Sequence, residues 1–211
     1  MGTLISATIS CNISWFFILL IIVLFIVLAM KSNYLRDSID NRDAFMEAAS
    51  KIKKFAGKEF EDIPKPYSLA RTQLAVWTVV ISCSYIFLAF CGPAVINLGT
   101  SPTAIALLGI SAGTTGVANV IDNSQGTNAE PNGKRHQDEP SKGFLIDILS
   151  DNNGVSIHRF QNAIWTIVAI AVYVWQICPG QTKLPELDNT LLSLTGISSA
   201  AYLGLKMNEN K

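Results

Sequence analysis

Apolar positions gather in five stretches separated by polar ones. Residues 13–30 carry no charge and are dominated by Ile, Leu, Val and Phe. At 1.5 Å per residue, 18 such residues just cover a hydrocarbon core of roughly 30 Å. Weaker apolar stretches follow at 73–95, 103–121, 160–178 and 189–205. The pattern predicts an all-α membrane protein with five transmembrane helices. A cleavable signal peptide is the rival reading of 13–30. It wants a basic start and a small-residue cleavage site, whereas residues 1–30 hold no Lys or Arg and Lys31 follows the apolar run. The stretch is therefore expected to remain as an anchor.

The polar segments set the orientation. Of 16 Lys and Arg residues, nine fall in 31–71 and four in 122–159, while the segment 96–102 has none. The positive-inside bias places both charged loops and the C-terminus in the cytosol and the N-terminus outside, in a bacterial inner membrane. Five regions result: an anchor helix (1–30), a cytosolic helical arm (31–66), a first hairpin (67–122), a cytosolic linker with an interfacial helix (123–154) and a second hairpin (155–211). In the arm, no Gly or Pro interrupts 30–56, and Phe45, Ala49, Ile52 and Ala56 form an amphipathic stripe. One continuous helix from Ile13 to a stop at Gly57, on the order of 65 Å long, is expected, with its stripe packed on symmetry mates. Residues 123–142 read as a mobile linker, and 143–151 as a short helix apolar on one side.

The two hairpins are copies. Ser68-Leu69-Ala70-Arg71-Thr72-Gln73 with Trp77 recurs, 88 residues on, as Ser156-Ile157-His158-Arg159-Phe160-Gln161 with Trp165; Leu107, Gly109 and Ser111 match Leu194, Gly196 and Ser198 at a spacing of 87. An even number of crossings separates the copies, so they share orientation. Arg71, Gln73, Arg159 and Gln161 sit where each unit enters the membrane. Two readings stand: arginines reaching headgroups with tryptophans at the inner interface, or a ring at a cytosolic pore mouth. Asp122 is the expected mate of Arg71, and Glu209 that of Arg159.

The closing helices are rich in small and hydroxylated residues. Ser111, Thr114, Thr115, Asn119, Ser198 and Ser199 are candidate pore-lining groups. Gly109-x-x-x-Gly113 and Gly196-x-x-x-Ala200-x-x-x-Gly204 also read as plain close-packing patterns. No Asp, Glu, Lys, Arg or His lies within 72–121 or 189–205, nor within 160–182, against a proton-coupled carrier. No nucleophile–base pair, metal spacing or phosphate loop is evident, so neither an enzyme nor a cofactor is expected. Lys51, Lys53, Lys54 and Lys58 form a basic patch: an acidic ligand's site, or a solvated face. Cys91 and Cys178, 87 apart, match the repeat. They are either bridged in an oxidising periplasm or buried free thiols.

The strings Tyr67-Ser68-Leu69-Ala70-Arg71-Thr72-Gln73, Gly109-Ile110-Ser111-Ala112-Gly113 and Ser150-Asp151-Asn152-Asn153-Gly154-Val155-Ser156-Ile157-His158-Arg159-Phe160-Gln161 resemble a bacterial multi-pass membrane-protein family. So does Leu184-Pro185-Glu186-Leu187 followed by Thr195-Gly196-Ile197-Ser198-Ser199; together they cover roughly 64–208. Within it, the chain is similar to the membrane effectors of the Hailong anti-phage defence system. The resemblance implies a homo-oligomeric ion channel, held closed by DNA oligomers from a partner nucleotidyltransferase. It carries no site residues with it. An anion-preferring pore gated by a cytosolic anionic ligand, such as a nucleotide or DNA oligomer, is one expectation; a non-conducting scaffold or anchor is the other.

Overall fold

A computed structural model describes residues 2–39, 41–91, 101–127, 136–151, 154–177 and 183–207. Seven helices dominate them: α1 (Gly2–Lys31), α2 (Arg42–Ser50), α3 (Leu69–Cys91), α4 (Pro102–Thr127), α5 (Phe144–Leu149), α6 (Ile157–Trp175) and α7 (Asn189–Lys206). Three helices are long and apolar enough to cross a membrane: Cys11–Lys31, Leu69–Cys91 and Pro102–Gln125. α6 and α7, at 19 and 18 residues, are more polar.

α1 does not run on into the arm. The Ser32 hydroxyl and amide both bond to the Leu28 carbonyl, and the Arg36 amide closes a turn on Asn33. The chain then pairs with 64–68: Asp37 N–H donates to the Pro66 carbonyl, Ser68 N–H to that of Leu35. The Arg36 guanidinium lies 4.1 Å from the Tyr67 ring centre and donates to the Tyr67 hydroxyl and the Lys65 carbonyl. A new helix, α2, begins at Asn41, whose side chain accepts from Ala44 N–H at 3.0 Å. The expected 65 Å helix is thus two helices with a turn between. Its stripe needs no symmetry mate: Phe45 and Ala49 are buried against Phe55 and Ile63 of the same chain, while Ile52 and Ala56 are exposed. Gly57, at φ +79, supplies the left-handed residue that turns the chain back.

α1 packs along α3, α3 against α4 and α6, α7 against α6 and α4. A disulfide, Cys11–Cys91, fastens α1 to the C-terminal end of α3 at a Cα separation of 4.6 Å. This corrects the Cys91–Cys178 pairing: Cys91 already has a partner. Cys178 itself lies outside the described residues.

Two apolar clusters form the core of the helices that follow α1. The outer contains Trp77, Ile81, Leu88, Leu107 and Tyr173 with Leu184 and Leu187; the inner contains Leu69, Ala70, Ala118, Ile148 and Tyr202. Trp77 therefore sits in the core, edge-on to Tyr173 at 5.9 Å. The segment expected to be a mobile linker is partly built in. α4 continues to Thr127, Gln125 donates to the Lys206 carbonyl, and Gln137 is buried. Asp147 of α5 accepts from Tyr67 N–H, Ser141 Oγ and Lys142 N–H, joining this segment to the start of α3. α5 leaves Phe144, Leu145 and Ile146 exposed and buries Ile148 against the core.

Candidate functional site

Between the two apolar clusters lies a polar layer. Gln73 Nε2 donates to Thr166 Oγ1 at 2.7 Å; Asn162 Nδ2 donates to Gln73 Oε1, and Ser199 Oγ to Asn162 Oδ1. α3, α6 and α7 are thus cross-linked by side-chain amides in a dry interior, where an amide left unpaired costs about 1–3 kcal/mol. Thr114 and Thr115 bond back to the Ile110 and Ser111 carbonyls, and Thr115 Oγ1 reaches the Ala70 carbonyl of α3 at 3.1 Å. Ser111, Ser198 and Ser199 are buried, and Ser198 Oγ has no hydrogen-bond partner. The candidate hydroxyls therefore face the inside of this chain.

Where α4 and α7 end together sits a charge cluster. Lys206, fully buried, meets Asp122 at 3.0 Å, and Gln137 donates to the other Asp122 oxygen at 2.6 Å. Asp37, also buried, acts electrostatically on both. Arg159 is 1% exposed, its guanidinium 5.5 Å from the Tyr202 ring centre. α4 of one hairpin is thereby latched to α7 of the other, with the loop after α1 closing over them. The expected pair of Asp122 with Arg71 is replaced: Asp122 bonds Lys206, and Arg71 donates to the neutral Asn119 at 3.2 Å. Arg71 is half-buried beside α1. Glu209 lies outside the described residues.

The matched glutamines also part company. Gln73 is buried and Gln161 exposed; Asn162 takes the interior place. Sequence reasoning missed Asn162, Thr166, Tyr202, Lys206 and Gln137. Asn162 had a signal, a second amide beside Gln161. Lys206 had one as well, a lone cation ending an apolar helix.

The glycine face of α4 is open. Gly109, Ala112, Gly113, Gly116, Val117 and Val120 are all exposed, and among the described residues nothing beyond the helix's own nearby backbone comes within 4 Å of a Cβ built on any of these three glycines. Ala200, Ala201 and Gly204 of α7 are open likewise, whereas Gly196 meets Ile110. In the arm, Lys51, Lys53, Lys54 and Lys58 are exposed; Lys51 pairs with Glu47 at 2.6 Å, while Lys54 and Lys58 lie 5.5 and 5.7 Å from the Phe55 ring. The Lys51 hydrogen bond and charge hold the Glu47 carboxyl below its usual range. Partial burial pushes the Tyr34 phenol up. Among the described residues, no group of three or more His, Cys, Asp or Glu is placed to hold a metal. Comparisons with protein-family models, curated proteins and solved structures give no match.

Proposed function

We propose that the chain is the subunit of a homo-oligomeric ion channel in a bacterial inner membrane, an anti-phage effector gated by an anionic cytosolic ligand. The carrying observation is the open small-residue face of α4, continued on α7. Glycine and alanine facing lipid forgo contacts that another helix would make, and such faces let backbones approach closely. In this reading α6 and α7 also cross, giving five spans and two hairpins of like orientation. The contacts of α3 with α6 and of α4 with α7 support that arrangement. The Cys11–Cys91 bond supports an outer position for those helix ends, since disulfides persist on the oxidising side.

The ligand, a nucleotide or DNA oligomer, would meet Lys53, Lys54 and Lys58. The pore would prefer anions, because the open faces of α4 and α7 carry no carboxylate. An arginine mouth ring is not part of this reading: Arg159 is buried and Arg71 faces α1. That same burial, together with the inward hydroxyls, favours the second reading, a non-conducting scaffold. Planar-bilayer recording under a chloride gradient separates them. The channel reading expects a reversal potential on the chloride side; silence with and without oligonucleotide in a verified oligomer sinks it. Cross-linking that yields monomer alone sinks both.

A further inference from the structure

Along the inner half of α1 and α3 runs a cleft of about 480 Å³. Leu24 and Leu28 line it from α1, Leu74 and Val79 from α3, and Arg71 and Tyr34 close its cytosolic end. Both walls are helices long and apolar enough to span a membrane. From Arg71 to Val79 is eight residues, roughly 12 Å of helix, close to one leaflet of a roughly 30 Å hydrocarbon core. The cleft is thus as deep as an acyl chain is long on one side of the bilayer.

Its polar end has a definite sign. The one hydrogen-bond acceptor given to Arg71 is the neutral Asn119 amide, and among the described residues no carboxylate lies within 4.0 Å of its guanidinium. A guanidinium offers five donors in a fork that fits a phosphate, so most of this one's capacity is unused. Tyr34, 36% exposed, lines the same cleft, its ring edge-on to Phe25. Lys31, the last residue of α1, is also exposed at this level. An apolar slot ending in cations suits an amphiphile with an anionic head and would leave a zwitterionic head's cation unmatched.

We propose that the α1–α3 cleft binds one anionic diacyl phospholipid of the cytosolic leaflet, with an acyl chain between Leu24, Leu28, Leu74 and Val79 and its phosphate on Arg71 and Tyr34. The leaflet follows from the orientation in the functional reading; the site itself does not depend on conduction. The Cys11–Cys91 bond keeps the walls together at the far end, so the cleft is a fixed slot.

The test is native mass spectrometry of the purified full chain, titrated with palmitoyl-oleoyl phosphatidylglycerol or the matching phosphatidylcholine. Wild type is expected to retain one phosphatidylglycerol in preference to phosphatidylcholine. Arg71→Gln should weaken phosphatidylglycerol retention about tenfold, as loss of a charge-assisted bond implies, and narrow the preference over phosphatidylcholine. Arg71→Lys should recover part of the preference. Ala75→Trp, which fills the slot, should abolish retention and tests the site even if Arg71→Gln fails to fold. Equal retention of the two lipids by wild type overturns the proposal, and so does undiminished phosphatidylglycerol retention in Ala75→Trp. Neither result bears on conduction, which the bilayer recordings decide separately.

Discussion

The openings of the two hairpins read alike and fold differently. In α3 the buried positions are Leu69, Ala70, Thr72, Gln73, Trp77, Ile81, Ser84 and Leu88; in α6 they are Arg159, Asn162, Ala169 and Tyr173. Moved by the 88-residue offset, most of the α6 stripe falls one position later, about 100° around a helix of 3.6 residues per turn. α7 behaves much the same way against α4 under its own 87-residue offset: Thr195, Ser199, Tyr202 and Lys206 are buried where it would place Leu194, Ser198, Ala201 and Leu205, and of those four only Ser198 is buried as well. The difference has a visible correlate. α1 covers one flank of α3, whereas among the described residues no helix covers α6 in that way, leaving Ile164 and Ile167 exposed. A shared motif fixes where a residue lies along the axis. The neighbouring helix decides which way it faces.

The matched arginines give the largest test. Arg159 is buried with the Asp122–Lys206 pair nearby, and removing a buried charge leaves others uncompensated, at a cost of about 3–5 kcal/mol. Arg71, half-buried and bonded to a neutral amide, should cost under about 1 kcal/mol when truncated. Thermal melts of Arg159→Ala and Arg71→Ala in one detergent should therefore differ severalfold. Equal losses would break the comparison.

Removing the covering helix's clamp comes next. Cys91→Ser should destabilise by about 2–4 kcal/mol, toward the lower end because insertion already confines both helices. Maleimide labelling before and after reduction checks the pairing: in wild type, reduction should expose thiols at Cys11 and Cys91 together. Labelling of Cys91 without reductant would detach α1 from α3. The glutamines follow. Gln73→Leu strands Asn162 and Thr166 and should cost about 1–3 kcal/mol, whereas Gln161→Leu should stay within about 0.5 kcal/mol.

The sequence was most informative where one property dominates. The 13–30 run, unbroken and uncharged, could only be a long apolar helix, and α1, α3 and α4 were legible on that ground. Arm geometry was not. The end of α1 depends on Pro66 and Leu35 carbonyls meeting amides some 30 positions away, and no local pattern encodes that. Within the site, Gln73 was found through the repeat, and the same repeat misassigned its mate, because register on a helix face turns on a single residue. Asp122 was singled out but given the wrong cation. Arg71 and Lys206 both end apolar helices on the same side, and only packing brings the lysine to the carboxylate. Cys11 went unconsidered because the repeat drew Cys91 toward Cys178.

The smallest effect separates the two closing helices at their outer ends. α4 begins at Ser101, whose hydroxyl accepts from Ala104 N–H at 3.3 Å, with Pro102 at the first helical position. α7 begins at Asp188, whose carboxylate accepts from Thr190 N–H at 2.9 Å. Hydrogen bonds from Thr190 hold the Asp188 carboxyl below its usual range. The sign follows from that depression. The cap's contribution is complete above the carboxyl's unfolded value, about 3.9, and is lost as pH falls through the lower folded one. A serine hydroxyl does not titrate there, so acid should loosen the first turn of α7 and spare that of α4. Site-resolved amide hydrogen exchange in detergent, corrected for the intrinsic pH dependence of exchange, reads both turns in one sample. Protection at Thr190 should fall on acidification while that at Ala104 holds, and Asp188→Asn should flatten the Thr190 profile. Parallel loss at both turns would mean that acid acts on the bundle as a whole and not on this cap.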